Sequence, residues 1–159
     1  MRISLLYLLL TGMAAADATE GLRALHAGNP EKAARLLEAA AEEAPDDADL
    51  HASWGVALLE TGEWDRAAEV LRTSLRLRPE PDVAFNLAIA EFRRGDLPRS
   101  WSAVSLALRW AGEGRLLERA AELGLAVARR LDDPEPALRE IVLWAPGTDA
   151  AAEAARILE

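Results

Sequence analysis

The sequence predicts an all-α fold, built as a series of stacked helix pairs. Three observations predict it. First, 51% of the 159 residues are apolar but only 5% are aromatic, and Ala, Leu, Arg and Glu fill most positions. That composition favours helix. Second, β-branched residues are scarce, and no stretch alternates apolar and polar as a half-buried strand would. Third, the chain repeats itself. Gly28-Asn-Pro-Glu-Lys-Ala-Ala-Arg-Leu-Leu37, Gly62-Glu-Trp-Asp-Arg-Ala-Ala-Glu-Val-Leu71 and Gly95-Asp-Leu-Pro-Arg-Ser-Trp-Ser-Ala-Val104 align, with their glycines 34 and then 33 residues apart.

In chain order, Arg2 gives a minimal basic start, Ile3 to Leu10 is a short apolar run, and Gly12 breaks it. Small residues follow through Ala16, and Asp17 opens a charged stretch. This is the layout of a secretory signal peptide over residues 1–16, cleaved after Ala16 and leaving 17–159 as the folded domain. The apolar run is shorter than the ~20 residues needed to span a bilayer. An N-terminal core helix or an uncleaved anchor is the other reading of the same residues.

Each repeat has one anatomy. A first helix with small residues ends at the glycine, which suits a left-handed helix-closing position. A second helix starts two or three residues later and stops near Pro45 in one unit and Pro79 in the next. The units run about 17–46, 47–80 and 81–112. The middle one is clearest, with His51, Trp54, Gly55 and Leu58 on its first helix and Ala67 and Leu71 on its second. Gly55 and Ala67 read as the small pair that lets two antiparallel helices approach.

Beyond Gly114 the repeat decays. Leu116, Ala120, Leu123, Val127 and Leu131 predict a helix over 116–131, broken by Asp132-Asp133-Pro134. A shorter helix over about 135–144 completes a degenerate hairpin, 114–145. Pro146-Gly147 turns the chain, and Thr148 caps a last Ala-rich helix over 148–158, which covers the end of the stack.

The middle unit resembles the tetratricopeptide repeat (TPR), whose pattern is W-x2-L-G-x2-Y, then A-x3-F, then P. Trp54-Gly55, Gly62, Ala67, Leu71 and Pro79 carry the match. The first unit keeps Gly21, Ala33, Leu37 and Pro45. The third departs, with Leu87-Ala88 for Leu-Gly, Glu91 for the aromatic and Ser100 for the usual alanine. Phe85-Asn-Leu-Ala and Gly95-Asp-Leu-Pro-Arg are also similar to bacterial envelope TPR proteins encoded beside von Willebrand-type and aerotolerance operons.

The resemblance implies a right-handed superhelical α-solenoid whose first helices line a concave groove for an extended peptide or a partner helix. Carried onto this sequence, the groove draws on Val56, Leu59 and Glu60 from the second unit. From the third it draws on Asp82, Phe85, Asn86, Ile89, Phe92 and Arg93. Phe85, Ile89 and Phe92 follow 4- and 3-residue steps, so one helix face carries all three. Packing against neighbouring helices is the competing reading of those side chains. The implied function is a non-enzymatic adaptor for a protein or peptide, periplasmic or secreted. A self-associating assembly subunit is the alternative, and the oligomeric state stays open.

Chemistry finds no foothold. The net charge is −9 and Lys32 is the one lysine, which argues against nucleic acid. With no cysteine and only His26 and His51, 25 residues apart, a metal site lacks ligands, and both histidines read as partly exposed. No phosphate loop, nucleophile elbow or dinucleotide fingerprint is present, so no catalytic residues, cofactor or small-molecule substrate are expected. Trp54 and Trp101 read as core, Trp64 and Trp110 as partly exposed. A clamp for a terminal carboxylate lacks its cations, because Ala18 and Leu22 stand at the first unit's positions and Lys32 lies on the wrong helix. Intact-mass measurement of exported protein should place the N-terminus at Asp17; recovery of chains that retain Met1 through Ala16 would exclude cleavage.

Overall fold

The computed structural model describes residues 16–159, and these residues form nine helices and no strand. Of the expected signal peptide, residues 1–15 lie outside the described residues, and Ala16 with Asp17 opens the first helix. Residues 16–26 belong to α1, followed by α2 (Pro30–Glu43), α3 (Ala48–Thr61), α4 (Trp64–Leu77), α5 (Pro81–Arg94) and α6 (Leu97–Trp110). Then come α7 (Arg115–Ala128), α8 (Glu135–Trp144) and α9 (Asp149–Leu158). Each helix from α2 to α7 has 14 residues. No helix among the described residues is long and apolar enough to cross a membrane. The chain divides into two compact units, α1–α4 and α5–α9.

Local chemistry explains where the helices start and stop. The Asn29 and Asp47 carboxamide and carboxylate oxygens accept from backbone N–H groups at the starts of α2 and α3. Asp96 does the same for Arg99 at the start of α6, and Thr148 for Ala151 at the start of α9. Helices α3 and α5 end alike. Gly62 and Gly95 both sit at φ 82°, and the next residue's N–H reaches back to Leu58 and Glu91 respectively. That left-handed closure satisfies carbonyls the helix would leave open, and it turns the chain directly into the following helix.

In the first unit, α1 packs on α2, α2 on α3 and α3 on α4. The closest approaches fall where one helix has no side chain. A Cβ on Gly55 would lie 2.5 Å from both Cγ and Cδ2 of Leu71, so Leu71 fills the space the glycine leaves. Gly21 stands in the same relation to Leu37, with the nearest atom 2.9 Å from its absent Cβ. Gly55 is thus paired with Leu71 in contact, while Ala67, its expected partner, is fully buried a turn away. The Ser74 hydroxyl, also buried, donates to the Ala48 carbonyl at 2.8 Å and ties α4 to the start of α3.

Several side chains stand differently from the sequence expectation. His51 is buried, not partly exposed, because its Nδ1 lies 2.8 Å from the Asp47 carbonyl and its ring packs beside Trp54. Trp54 and Trp101 are half-buried rather than core, and the Arg66 guanidinium covers Trp54 at 5.7 Å from the ring centre. Across α1 and α2, Lys32 donates to Glu20 at 2.7 Å. That hydrogen bond, then the one from Arg23, holds the Glu20 carboxyl below its ordinary range. The folded value is depressed, so this small contribution is present above the ordinary carboxylate range and is lost as pH falls through the lowered value.

In the second unit, α5 pairs with α6 through a core of small residues, Ala84, Ala88, Ala103 and Ala107. Ser100, where alanine is usual, is wholly buried and donates to the Ala88 carbonyl at 2.9 Å. Glu91, where an aromatic is usual, is 1% exposed, and Arg94 donates to it at 2.8 Å. A carboxylate this far from water requires such a partner. Helix α7 ends at Ala128 rather than Leu131, where bonds from Arg130 to Val127 and from Leu131 to Ala128 tighten the last turn.

The buried stripe of α7 is also rotated from the expected one. Ala120 and Val127 of that stripe are buried as expected, together with Leu117, Ala121, Gly124, Leu125 and Ala128, while Leu116, Leu123 and Leu131 are half-buried. Gly124 sets that rotation: its absent Cβ would lie 3.0 Å from Val104 of α6 and 3.5 Å from Ile141 of α8. Ser105 of α6 donates to Glu140 of α8 at 2.5 Å across the same junction.

Gly55→Ala should lower unfolding free energy by about 1–3 kcal/mol, since Leu71 must leave its rotamer. In a Leu71→Ala background the same change should cost little or stabilise, because alanine is the better helix former. Urea unfolding of the four proteins measures this coupling, and additive effects would contradict the contact.

Candidate functional site

The rotation of α7 leaves an open groove between α5 and α7, about 370 Å³ in volume. Its lining is Phe85, Ile89, Phe92 and Arg93 from α5 with Arg119, Glu122 and Leu123 from α7. Phe85, Ile89 and Phe92 share one face of α5, and Arg119, Leu123 and Ala126 share one face of α7. The floor is therefore aromatic and aliphatic, and the charges stand along its edges.

Two arginines close over the aromatic rings. The Arg119 guanidinium lies 4.6 Å from the centre of the Phe85 ring, and that of Arg130 lies 5.0 Å from the centre of the Phe92 ring. Phe85 is 5% exposed beneath its arginine, whereas Phe92 and Ile89 remain half-open. A cation over an aromatic face is held by the ring quadrupole. Phe85 thus belongs both to the core and to the groove wall, and Phe92 and Ile89 are its accessible apolar surface.

The groove brings together Phe85, Ile89, Phe92 and Arg93 of the expected residues. Asp82 lies exposed in the first turn of α5 and Asn86 is half-buried, and neither lines it. Val56, Leu59 and Glu60 are on α3 in the other unit, the first two half-buried and Glu60 exposed. The α7 wall was missed by sequence reasoning. Arg119, Glu122 and Leu123 follow the same 3- and 4-residue spacing as the α5 residues, but the helix lies where the repeat pattern has decayed. Among the described residues no group of three or more His, Cys, Asp or Glu side chains is arranged to hold a metal ion.

Paired helices closed by left-handed glycines, with small residues at each crossing, define a helical-repeat scaffold. Residues 24–90 match the tetratricopeptide repeat, so this part of the chain is built of tetratricopeptide repeats. No curated protein matches it by sequence. Among solved structures it is similar to MamA (residues 41 to the end) from Desulfovibrio magneticus RS-1, at 22% identity and a TM-score of 0.60. That match covers 92% of this chain and 91% of the other. It is also similar to PilF of Pseudomonas aeruginosa, at 20% identity and a TM-score of 0.62 over 91% of this chain and 66% of that one. These likenesses show a shared fold.

Proposed function

We propose that this protein is a non-enzymatic adaptor that holds a peptide or helix of a partner protein in the α5–α7 groove. The open apolar floor around Phe92 is the observation that carries the reading. Phe92 and Ile89 stand half-exposed on the α5 wall of the groove, where a partner's apolar anchor gains contact with both α5 and α7. Asp82, Asn86, Val56, Leu59 and Glu60 complete the residues that the family resemblance offers for contact outside this groove. The signal-like layout of residues 1–16 supports export, with residues 17–159 working in the periplasm or outside the cell.

A second reading, self-association, is favoured by one surface feature. Leu143 is 66% exposed, and Trp110 and Trp144 are each 41% exposed. The Ser105–Glu140 hydrogen bond joins α6 to α8, the two helices that carry Trp110, Leu143 and Trp144.

Phe92→Asp should abolish partner capture in a cross-linking pull-down from the cell envelope while leaving the helical circular dichroism intact. Phe85→Ala, by contrast, should destabilise the fold by about 3–5 kcal/mol. Capture unchanged by Phe92→Asp would overturn the groove reading. Light scattering of the same proteins separates the second reading, which requires the mass to rise with concentration and to fall back in Leu143→Asp.

A further inference from the structure

The two arginines over the groove are unusual in how their hydrogen-bonding capacity is spent. Most arginines whose contacts are resolved pair with a carboxylate: Arg66 with Glu63 and Glu38, Arg99 with Asp96, Arg139 with Glu135. Arg129, next in sequence to Arg130, pairs with Glu153 at 2.9 Å. Among the described residues, the guanidinium groups of Arg119 and Arg130 have no ion pair and no hydrogen bond, and their contact is with the rings of Phe85 and Phe92. Both side chains belong to exposed residues.

A guanidinium held against a ring face has its position restrained by the ring quadrupole, and with no ion pair or hydrogen bond its N–H donors are left for a ligand. Five donors in a rigid fork match a carboxylate in bidentate fashion. Holding the fork in place beforehand removes part of the ordering cost that a free surface arginine meets on binding. The two forks stand at the positions of Phe85 and Phe92, two helical turns apart along α5, and between them lie the apolar side chains of Ile89 and Leu123. The groove lining thus holds Arg119 at the Phe85 end, the apolar floor, and Arg93, with Glu122 as its one acid, while Arg130 stands against Phe92 beside the lining.

We infer that the groove selects an acidic, aliphatic segment of a partner protein: two carboxylates about two helical turns apart, taken by Arg119 and Arg130, with a Leu- or Ile-like side chain between them against Ile89, Phe92 and Leu123. This deepens the groove reading and rests on it. The chain's net charge of −9 opposes such a segment at long range. Selection therefore lies in the short-range fork contacts and not in a general basic field.

Three short fluorescent peptides on the full chain test it. One has Leu and Ile at helical spacing with Asp and Glu flanking them, the second has Asn and Gln for the acids, and the third has Lys. Fluorescence anisotropy should show the acidic peptide binding about tenfold more tightly than the amide one, with the Lys peptide weakest. Arg119→Gln and Arg130→Gln should each bring the acidic-to-amide affinity ratio down toward one. Arg119→Lys should fall close to the Gln variant, since it keeps the charge but loses the fork. An acidic preference that survives both Gln variants overturns the inference, and so does full function in Arg119→Lys. If acidic and amide peptides bind wild type equally and Phe92→Asp abolishes both, the carboxylate selection fails while the groove reading stands. If no peptide binds folded wild type, both fail.

Discussion

Helix contacts in both units of this protein depend on places where one backbone carries no side chain and its partner carries a branched aliphatic one. Gly21 accepts Leu37, Gly55 accepts Leu71, and Gly124 accepts Val104 with Ile141 nearby. At these points the distance between helix axes is set by a single side chain resting on bare backbone, and the flanking alanines allow the rest of each interface to follow. The core holds few large residues, so there is little slack to absorb an added methyl group.

What the groove offers is a consequence of that packing. Gly124 draws α7 onto α6 and α8, which turns Leu117, Gly124 and Leu125 inward and leaves Arg119 and Leu123 lining the groove with α5. The half-buried Leu123 and Phe92 then share one open channel, and the guanidinium groups of Arg119 and Arg130 stand over the Phe85 and Phe92 rings beside it. A rotation of α7 by one residue would exchange Leu123 for Leu125 or Gly124 in that wall. Helix packing far from the solvent thus determines which chemistry the surface displays.

The sequence made part of this legible. Regular glycine spacing and the small residues around Gly55 pointed to helix pairs, and the steps from Phe85 to Ile89 to Phe92 placed one wall of the groove on a single face. The other wall was hidden for a physical reason. Apolar periodicity in α7 allows either Leu123 or Leu125 inside, and only the contact at Gly124 decides between them. His51 was misread because a backbone carbonyl one turn earlier satisfies its ring nitrogen, which the residue type alone does not reveal. Val56, Leu59 and Glu60 were chosen by family pattern, which locates a helix face without showing what that face meets in this chain.

The central claim is that α7 turns Leu123 outward and Leu125 inward, leaving an open apolar groove. The chain has no cysteine, so single thiols can be placed at will. The rate of thiol labelling in native buffer, compared between Leu123→Cys and Leu125→Cys, tests the claim most directly. Position 123 should react while the protein stays folded, and position 125 only at the rate of unfolding. Equal, unfolding-limited rates at both positions would mean that the groove is closed and the account is wrong.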